Sequence, residues 1–443
     1  MVVQKLKNLV SSFSREDDIF RAREIQQSEL PWIRTRHIWT GTLGNIYGTF
    51  LGPTGIYFTF FCFSSGMSRY QLGIMASLIL FTVVSQIFSW IFEDICGNRK
   101  YPWYIFSLIS RLCFVPIVFS FWIPIGPLSI ITLCVISSVF ANLAAPPWSS
   151  WLYDMIPEKQ LVSFMARRSA VIQLFLMGLA LFAALAVQQS DQAHKLVIVR
   201  LVFGFGLALG LVDLVFHVKI PEPNTGTREV NNKFLKIIIE PLSDEKFGRW
   251  MMIMALWTMS VNIGGSFCIP YLIKDLGFEN RFVLLTLITV CLVQVSGFIS
   301  LVFWGRIIDK AGTRKVFLLC YCLWTIIPVF YVFSAFVEPT LLISFAWIIA
   351  GVFINGAGIA NLAIVSVLTR GKKRSTYLAV MTITSSVAGG LGTLIGSLIV
   401  KYFSMWHVFP VSLVARVLSF AVICIVVMRQ GIGSISREEI NAD

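Results

Sequence analysis

Four charged side chains lie well inside long apolar stretches of this 443-residue sequence, and they are the first candidates for chemistry. Arg111, Arg200 and Arg416 are the cations, and Asp213 is the carboxylate. An unpaired Arg in lipid costs at least ~2.5–3.5 kcal/mol, so each needs a partner or a path to water. Arg200 is close enough to a predicted helix end to reach water by snorkelling. Arg111 and Arg416 lie deeper, and they would suit an organic anion if they face a cavity.

The titratable residues give little support to an enzyme or to a proton relay. The four His residues, at positions 37, 194, 217 and 407, are all predicted near helix ends. The sequence contains no evident pair of cavity carboxylates, metal-binding His cluster or nucleophile with its base. None of the nine Cys residues forms a Cys-x-x-Cys pair, so neither a zinc site nor a disulfide framework is indicated. We therefore predict no catalytic residue, no metal and no cofactor.

Uncharged polar residues form stripes on several apolar segments. Thr42, Asn45 and Thr49 follow one face of the first segment, and Thr258, Asn262 and Ser266 repeat the pattern on the seventh. Glycines lie beside the first stripe at Gly41, Gly44, Gly48 and Gly52, the last three of them at four-residue spacing. Such glycines allow close helix approach, and polar side chains must avoid lipid. The candidate solute-binding residues are Asn45, Thr49, Asn142, Asn262, Ser266, Asn355, Asn361, Arg111 and Arg416. Each of the Asn residues could instead only hydrogen-bond a neighbouring helix.

The elements that position these residues are membrane helices. Hydrophobic residues make up 56% of the sequence and charged residues only 13%. Apolar segments long enough to cross a bilayer are predicted near 37–62, 71–92, 102–124, 128–152, 168–188, 196–218, 250–273, 282–304, 316–336, 340–368, 375–400 and 406–428. The predicted organisation is a lead at 1–36, a six-helix bundle at 37–218, a linker at 219–249, a second bundle at 250–428 and a tail at 429–443. The linker contains an amphipathic stretch at 233–239 that could lie at the membrane surface or remain a flexible connection.

The net charge of +13 is distributed as in a membrane protein and not as in a nucleic-acid-binding protein. Of the 36 Lys and Arg residues, 28 fall in the lead, the even-numbered loops and the tail, whereas five fall in the odd-numbered loops. This asymmetry predicts a multi-pass protein of the cytoplasmic membrane with both termini in the cytoplasm. The bilayer and a solute, with or without a coupling ion, are the predicted partners, and the protein is expected to be a monomer.

One short basic turn occurs twice, about half a chain length apart. The more complete copy contains Gly305, Asp309, Gly312, Arg314 and Lys315. The second copy keeps Asp94, Gly97, Arg99 and Lys100 at the same relative positions. A turn repeated in this way between apolar segments indicates two similar halves in a membrane.

This turn resembles the loop signature Gly-x-x-x-Asp-x-x-Gly-Arg-Lys of the major facilitator superfamily. The stretches 146–157 and 269–277 are also similar to patterns in bacterial permeases of this family whose substrates are unassigned. The resemblance covers about residues 37 to 430 and implies twelve helices in two pseudo-symmetric bundles. It also implies a central cavity lined by the first, fourth, seventh and tenth helices. The features typical of proton-coupled drug antiporters are missing from the fourth and fifth helices.

The resemblance further implies a gate. In this family the signature Asp engages the start of a helix in the opposite half. The predicted fifth and eleventh helices begin with Arg168-Ser169 and Arg374-Ser375, behind further cations. The residues assigned to this gate are Asp94, Arg99, Arg167, Arg168, Asp309, Arg314 and Arg374. The same cations could merely follow the rule that cytoplasmic loops are basic.

Together these features favour a secondary active or facilitative transporter of a small polar organic solute. A receptor or scaffold that kept the fold and lost transport is the alternative from another class. Within transporters, an efflux carrier or an organic-anion carrier remains open, and the sequence leaves the solute unidentified.

Overall fold

The computed structural model describes residues 22–122, 124–224, 234–370 and 374–430. Residues 1–21 of the predicted lead, 225–233 of the linker, 371–373 before the eleventh helix and 431–443 of the tail lie outside this description. Twelve helical segments within the described residues are long and apolar enough to cross a membrane, and we number them span 1 to span 12. This agrees with the number predicted from hydropathy.

Spans 1 to 6 contain nine α-helices. Their bounds are Leu30–Leu51 and Ile56–Ser64 in span 1, Arg69–Phe81 and Ser89–Cys96 in span 2, Lys100–Leu112 and Val115–Val118 in span 3, Pro127–Met155 in span 4, Glu158–Gln189 in span 5 and Gln192–Val218 in span 6. A 3₁₀ stretch, Thr82–Phe88, joins the two halves of span 2. Span 4 stays helical through Pro146 and Pro147.

Spans 7 to 12 follow the linker helix Phe234–Ser243. Their bounds are Glu245–Gly265 and Cys268–Lys274 in span 7, Phe282–Thr286 and Val293–Ala311 in span 8, Thr313–Thr325 and Ile327–Phe333 in span 9, Pro339–Leu368 in span 10, Arg374–Tyr402 in span 11 and Val408–Gln430 in span 12. Residues Leu287–Leu292 form a π-helical turn within span 8.

Two helices begin earlier than the sequence predicted, and this changes the interpretation of two residues. The first helix begins at Leu30, with Pro31 in its first turn, so His37 lies inside the helix and not at its end. The fifth begins at Glu158, so the prediction that Arg168 opens it is wrong. Hydropathy marks only the apolar part of a helix, and both helices extend beyond that part as polar turns.

The chain forms two compact units. Unit 1 comprises residues 1–67 and 81–232, and unit 2 comprises residues 68–80 and 233–443. The first half of span 2 therefore packs with unit 2, where the Ser77 hydroxyl donates to the Gly390 carbonyl at 2.8 Å. The core of unit 1 includes the buried Ile33, Trp103 and Trp151. The core of unit 2 is built around buried aromatic residues of spans 7 and 9.

The two copies of the signature turn, each within its own unit, both end a helix at a glycine of positive φ. Gly97 and Gly312 have φ of 67° and 86°, the region that side chains other than glycine rarely adopt. Each glycine N–H donates to the carbonyl four residues earlier and ends the preceding helix. The signature glycine is therefore needed in both copies because the chain must turn sharply there.

A short clasp fastens the start of the linker to unit 1. Strand β1, Ala22–Arg23, pairs in parallel with strand β2, Glu222–Pro223. The buried carboxylate of Glu222 accepts from the main-chain N–H of Arg99 at 2.9 Å and from its side-chain Nε at 3.3 Å. Arg99 also forms an ion pair with Asp154. Glu222 thus supplies an acceptor at the N-terminus of the helix Lys100–Leu112, where main-chain N–H groups lack helical partners.

Candidate functional site

A recess of about 300 Å³ opens between spans 7 and 11 of unit 2. Its lining residues are Leu80, Thr258, Asn262, Leu378, Met381, Thr382, Ser385, Ser386 and Gly389. None of these nine residues is charged, and five of them carry a hydroxyl or amide group. The recess is therefore suited to a small neutral molecule with several hydrogen-bonding groups.

The lining polar groups of span 7 each donate one hydrogen bond to their own helix. The Thr258 hydroxyl donates to the Met254 carbonyl at 2.8 Å, and the Asn262 amide nitrogen donates to the Thr258 carbonyl at 2.8 Å. On span 11, Thr382 donates to Leu378 in the same way at 2.9 Å. These bonds hold the side chains in place and leave oxygen atoms as acceptors for a ligand.

Ser385 and Ser386 differ from these other lining residues, because their hydroxyls make no hydrogen bond to any described residue. Both side chains are half-buried in the recess. A hydroxyl can donate once and accept twice, so this pair adds free donors beside the acceptors of span 7. The recess thus offers both kinds of partner that a hydroxyl-rich solute needs.

Glycines of span 11 bring the two helices close enough to form the recess. A Cβ atom at Gly392 or Gly396 would overlap the main-chain carbonyl of Met259 or Ile263 on span 7. At Gly389 it would lie 3.1 Å from the Asn262 amide nitrogen. Close helix approach through small residues is the usual packing mode in lipid.

The predicted binding residues do not all lie in this recess. Asn262 lines it, and Ser266 lies one turn further along span 7, bonded to the Thr393 hydroxyl at 3.0 Å. Asn45 and Thr49 belong to unit 1, where the exposed Asn45 donates to the Gly41 carbonyl and Thr49 donates to the Asn45 carbonyl.

The remaining three Asn residues have their hydrogen bonds within the protein. Asn142 donates to the Thr82 hydroxyl and accepts from Gln86, both at 2.9 Å. Asn361 accepts from the Trp250 indole at 3.1 Å. Asn355 donates to the Gly351 carbonyl at 2.7 Å. Asn142 and Asn361 therefore link neighbouring helices, the alternative left open by the sequence, whereas Asn355 bonds to the backbone of its own helix.

The three buried Arg residues also find partners within their units. Arg111 Nη2 lies 2.5 Å from Asp213 Oδ2. Arg416 donates to two main-chain carbonyls, of Trp324 at 3.1 Å and Val261 at 3.4 Å. Arg200 donates to the Ser120 hydroxyl at 3.0 Å, and its guanidinium lies over the Phe121 ring. None of the three lines the recess.

Sequence reasoning missed a buried cluster in unit 1. Asp213 accepts from Arg111 through one oxygen, and His217 Nδ1 lies 2.7 Å from the other. His217 was interpreted only as a helix-end residue. The signal was its spacing of four from the sole carboxylate deep in an apolar run, because residues four apart share a helix face.

The predicted gate residues divide by exposure. Asp94, Arg167, Asp309 and Arg374 are exposed, and Arg314 is half-buried. Arg99 and Arg168 are buried, with Arg99 held by Glu222 and Asp154. Arg168 Nε donates to the His37 carbonyl at 3.1 Å. No group of three or more potential metal ligands comes together in the described part of the chain.

Comparison with known proteins adds a family and a fold. The model of the Major Facilitator Superfamily matches residues 38–301 and 287–432. No protein of curated function matches the chain significantly.

Several solved structures share the fold at low identity. A single-site mutant of the nucleoside transporter NupG has a TM-score of 0.69 at 12% identity, covering 89% of this chain and 99% of that chain. A D-xylose-proton symporter has a TM-score of 0.65 at 14% identity, with 88% and 96% covered. A bacterial homologue of the human lysosomal transporter Spinster has a TM-score of 0.60 at 14% identity, with 91% and 96% covered. Likeness at this identity shows the fold alone.

Proposed function

Because the chain belongs to the Major Facilitator Superfamily and is a solute transporter, we propose that it carries a small neutral solute with several hydroxyl groups. A sugar, a polyol or a nucleoside has this chemistry. Transport proceeds by alternating access across the cytoplasmic membrane, with both termini in the cytoplasm and the protein acting as a monomer. The recess of spans 7 and 11 supplies part of the solute site.

The observation that carries this proposal is the uncharged, hydroxyl-rich lining of the recess. Acceptors on Thr258 and Asn262 face donors on Ser385 and Ser386. Polar groups enclosed in a site lose free energy when their ligand cannot pair with them, so such a lining favours hydroxylated solutes over apolar ones. The volume of about 300 Å³ suits part or all of a small metabolite.

The organic-anion alternative has weaker support. An anion carrier needs a cation with bonding capacity directed at the solute. Arg111 is paired with a carboxylate, and Arg416 with two carbonyls. Two of the structural neighbours, a nucleoside transporter and a xylose symporter, carry hydroxyl-rich solutes, which agrees with the proposal.

Uptake by purified protein in proteoliposomes tests the proposal. Radiolabelled uridine and D-xylose are the neutral probes, and radiolabelled succinate is the anionic one. We expect uptake of a neutral probe, and Asn262→Leu or the double variant Ser385→Ala/Ser386→Ala should reduce it at least tenfold, because about 1.4 kcal/mol of lost interaction is tenfold. Thr132→Val is a matched control, because Thr132 also donates to a carbonyl four residues earlier but does not line the recess.

Three outcomes contradict the proposal in different ways. Uptake of succinate alone would favour the anion carrier. Stabilisation of the protein by a neutral probe in a thermal-shift assay, without uptake, would favour the receptor alternative. Wild-type uptake by the recess variants would move the solute site elsewhere.

A further inference from the structure

A second polar centre lies inside unit 1 and has no part in the solute recess. We propose that His217, Asp213 and Arg111 form a proton-binding site in which His217 takes the proton. We call these three residues the proton centre. The assignment of this proton as the coupling ion rests on the transport function proposed above, whereas proton binding itself does not.

The carboxylate of Asp213 connects the other two members. Its Oδ2 accepts from Arg111 Nη2 at 2.5 Å, and its Oδ1 lies 2.7 Å from His217 Nδ1. Both oxygens are therefore engaged by nitrogen donors, and Nδ1 of His217 carries its hydrogen in this arrangement. All three residues are buried, with His217 and Asp213 only 3% and 2% exposed. The one nitrogen of the centre that can accept a proton is consequently His217 Nε2.

His217 Nε2 accepts only one long hydrogen bond from the described residues. The Trp148 indole N–H approaches it at 3.4 Å, near the upper limit for a hydrogen bond. A proton on Nε2 would turn this acceptor into a donor, and the Trp148 N–H would then have to turn away. Imidazole is the side chain that takes up a proton in the physiological range, and the Asp213 carboxylate would stabilise the resulting cation.

A second imidazole lies beside the centre. The His37 ring is 5.7 Å from that of His217 between centroids, and it is completely buried. Neither of its ring nitrogens has a partner among the described residues. A buried imidazole without partners is costly, and a donor on His217 Nε2 would give the region one of the hydrogen bonds it lacks, directly or through a water. A proton on His217 Nε2 would thus supply a hydrogen-bond donor beside His37, whose ring nitrogens have no partner among the described residues.

The charges around the centre favour reversible loading. The groups that face it from other spans are His37 and Tyr47 of span 1, Trp148 of span 4 and Arg168 of span 5. Two guanidinium groups, of Arg111 and Arg168, therefore surround a single carboxylate. Asp213 favours protonated His217 and the two Arg side chains oppose it, so the proton can be taken and also released. A coupling ion must do both.

The glycines of span 1 make room for the charged groups. A Cβ at Gly44 would lie 3.1 Å from Asp213 Oδ2, and one at Gly41 would overlap the Arg168 guanidinium. Two positions of the predicted glycine stripe thus admit charged side chains as well as a neighbouring helix. This arrangement goes beyond what helix packing in lipid requires.

The centre lies near the linker end of unit 1. His217 lies in the last turn of span 6, and Asp213 lies one turn deeper, where it meets Arg111 of span 3. The Trp103 and Trp151 rings lie 4.7 and 6.1 Å from the His217 ring. His217 is therefore the member of the centre nearest the end of span 6, and it is packed among aromatic rings.

Nuclear magnetic resonance of the histidines tests proton binding directly, because the chain has only four His residues. Full-length protein with ¹⁵N-labelled His in nanodiscs is titrated between about pH 5 and 8, the range in which imidazole changes charge. The His217 signal, identified by its loss in His217→Gln, should titrate. In the double variant Arg111→Gln/Asp213→Asn, which removes one charge of each sign, its midpoint should move to lower pH. His407→Gln is the control, and it should leave the His217 midpoint unchanged.

Absence of any His217 titration across this range would overturn the proposal and leave a purely structural ion pair. An unchanged midpoint in the double variant would show that Asp213 does not stabilise the proton on His217. That result would overturn the assignment of Asp213 and Arg111 to the proton centre. If His217→Gln fails to fold, the signals lost in His194→Gln and His407→Gln leave only those of His37 and His217, and the His217 signal is the one that should respond to the double variant.

Coupling is tested in proteoliposomes loaded with a pH-sensitive dye. If uridine or D-xylose is taken up, an inward proton gradient should raise uptake by wild-type protein and acidify the lumen, and neither effect should occur in His217→Gln. Uptake that does not change with the proton gradient would overturn the coupling role even if His217 titrates. Wild-type protein that transports neither probe would instead count against the proposed function, while the histidine titration would still decide the proton site.

Discussion

The three Arg residues buried in apolar helices are satisfied in three different ways. Arg111 has a carboxylate, Arg200 a hydroxyl and an aromatic ring, and Arg416 two carbonyls. The sequence predicted that each needed a partner, because burying a bare cation in lipid is costly. It could not identify the partners, since they lie up to 155 residues away in the chain. For Arg416 the sequence did contain a signal. Pro328 follows Trp324 by four residues and has no N–H, so the Trp324 carbonyl lacks its usual helical donor.

This relation predicts an energetic coupling between Arg416 and Pro328. Arg416→Met should destabilise the purified protein, because the Trp324 carbonyl then loses its donor. In a Pro328→Ala background the same change should cost about 1 kcal/mol less, since the new alanine N–H can take over that carbonyl. Thermal unfolding of the four proteins in one detergent measures the cycle. Equal losses in both backgrounds would show that the Trp324 bond contributes nothing.

At the residue scale the sequence could select candidates but could not assign their roles. Asn262 was selected because a polar residue in an apolar run must avoid lipid, and it lines the recess, but its role in binding stays a prediction. Ser385 and Ser386 were missed because a serine in a membrane helix can bond to its own backbone and carries no clear signal. Asn45 as a binding residue stays a prediction.

At the scale of elements, the contact between spans 7 and 11 depends on glycine. A Cβ at Gly392 would overlap the Met259 carbonyl, and backbone cannot move aside as a flexible side chain can. We expect Gly392→Ala to cost about 1–3 kcal/mol of stability and to widen the recess, with weaker uptake of the neutral probes. Thermal unfolding and the uptake assay measure the two effects.

Gly358→Ala is the matched control for that substitution. Gly358 also lies within a spanning helix, but a Cβ there meets nothing within 4 Å. This variant should be neutral or slightly stabilised, by up to about 1 kcal/mol, because alanine favours the helix over glycine. A loss at position 358 equal to that at 392 would mean that helix propensity, and not the contact, sets the effect.

The number and type of elements could be predicted because apolar length is an unambiguous signal in a membrane protein. The positions at which a spanning helix breaks or changes its helix type could not be predicted from apolar length. Span 2 changes to a 3₁₀ stretch at Thr82–Phe88, and its first half packs with unit 2. The clasp between Glu222 and Arg99 also escaped prediction, because Arg99 was assigned to the gate and Glu222 fell within the predicted linker.

For the whole molecule, loop charge predicts that both termini are cytoplasmic. In a variant without native Cys residues, Asn280→Cys should react with an impermeant maleimide added outside intact cells, and Lys310→Cys should not. Phe278, two residues away, would be a poorer labelling position because its side chain is buried. Both Asn280 and Lys310 are exposed side chains, so a difference in labelling reports the side of the membrane. Labelling at Lys310 from outside would reverse the proposed topology.

The gate implied by family resemblance is also a property of the whole molecule, and the two signature turns should contribute unequally. Both turns share a left-handed glycine, at Gly97 and Gly312, but their cations differ. Arg99 is already held by Glu222 and Asp154, whereas Arg314 is only half-buried and Asp309 is exposed. The turn at Asp309 therefore presents both an exposed Asp and a partly exposed Arg for a conformational switch, whereas in the other turn Asp94 is exposed but Arg99 is buried.

We expect Asp309→Asn to shift the protein toward the state open to the cytoplasm more strongly than Asp94→Asn does. A single reporter, Ser385→Cys in a Cys-free background, lies in the recess and can be labelled from the cytoplasmic face in inside-out vesicles. A shift of about 1.4 kcal/mol changes the population ratio tenfold, so the initial labelling rate should rise several-fold in the Asp309 variant. Asp191→Asn is the control, because Asp191 lies between spans 5 and 6 outside both turns. Equal rates in all variants, together with unchanged transport, would mean that neither turn controls access in this protein.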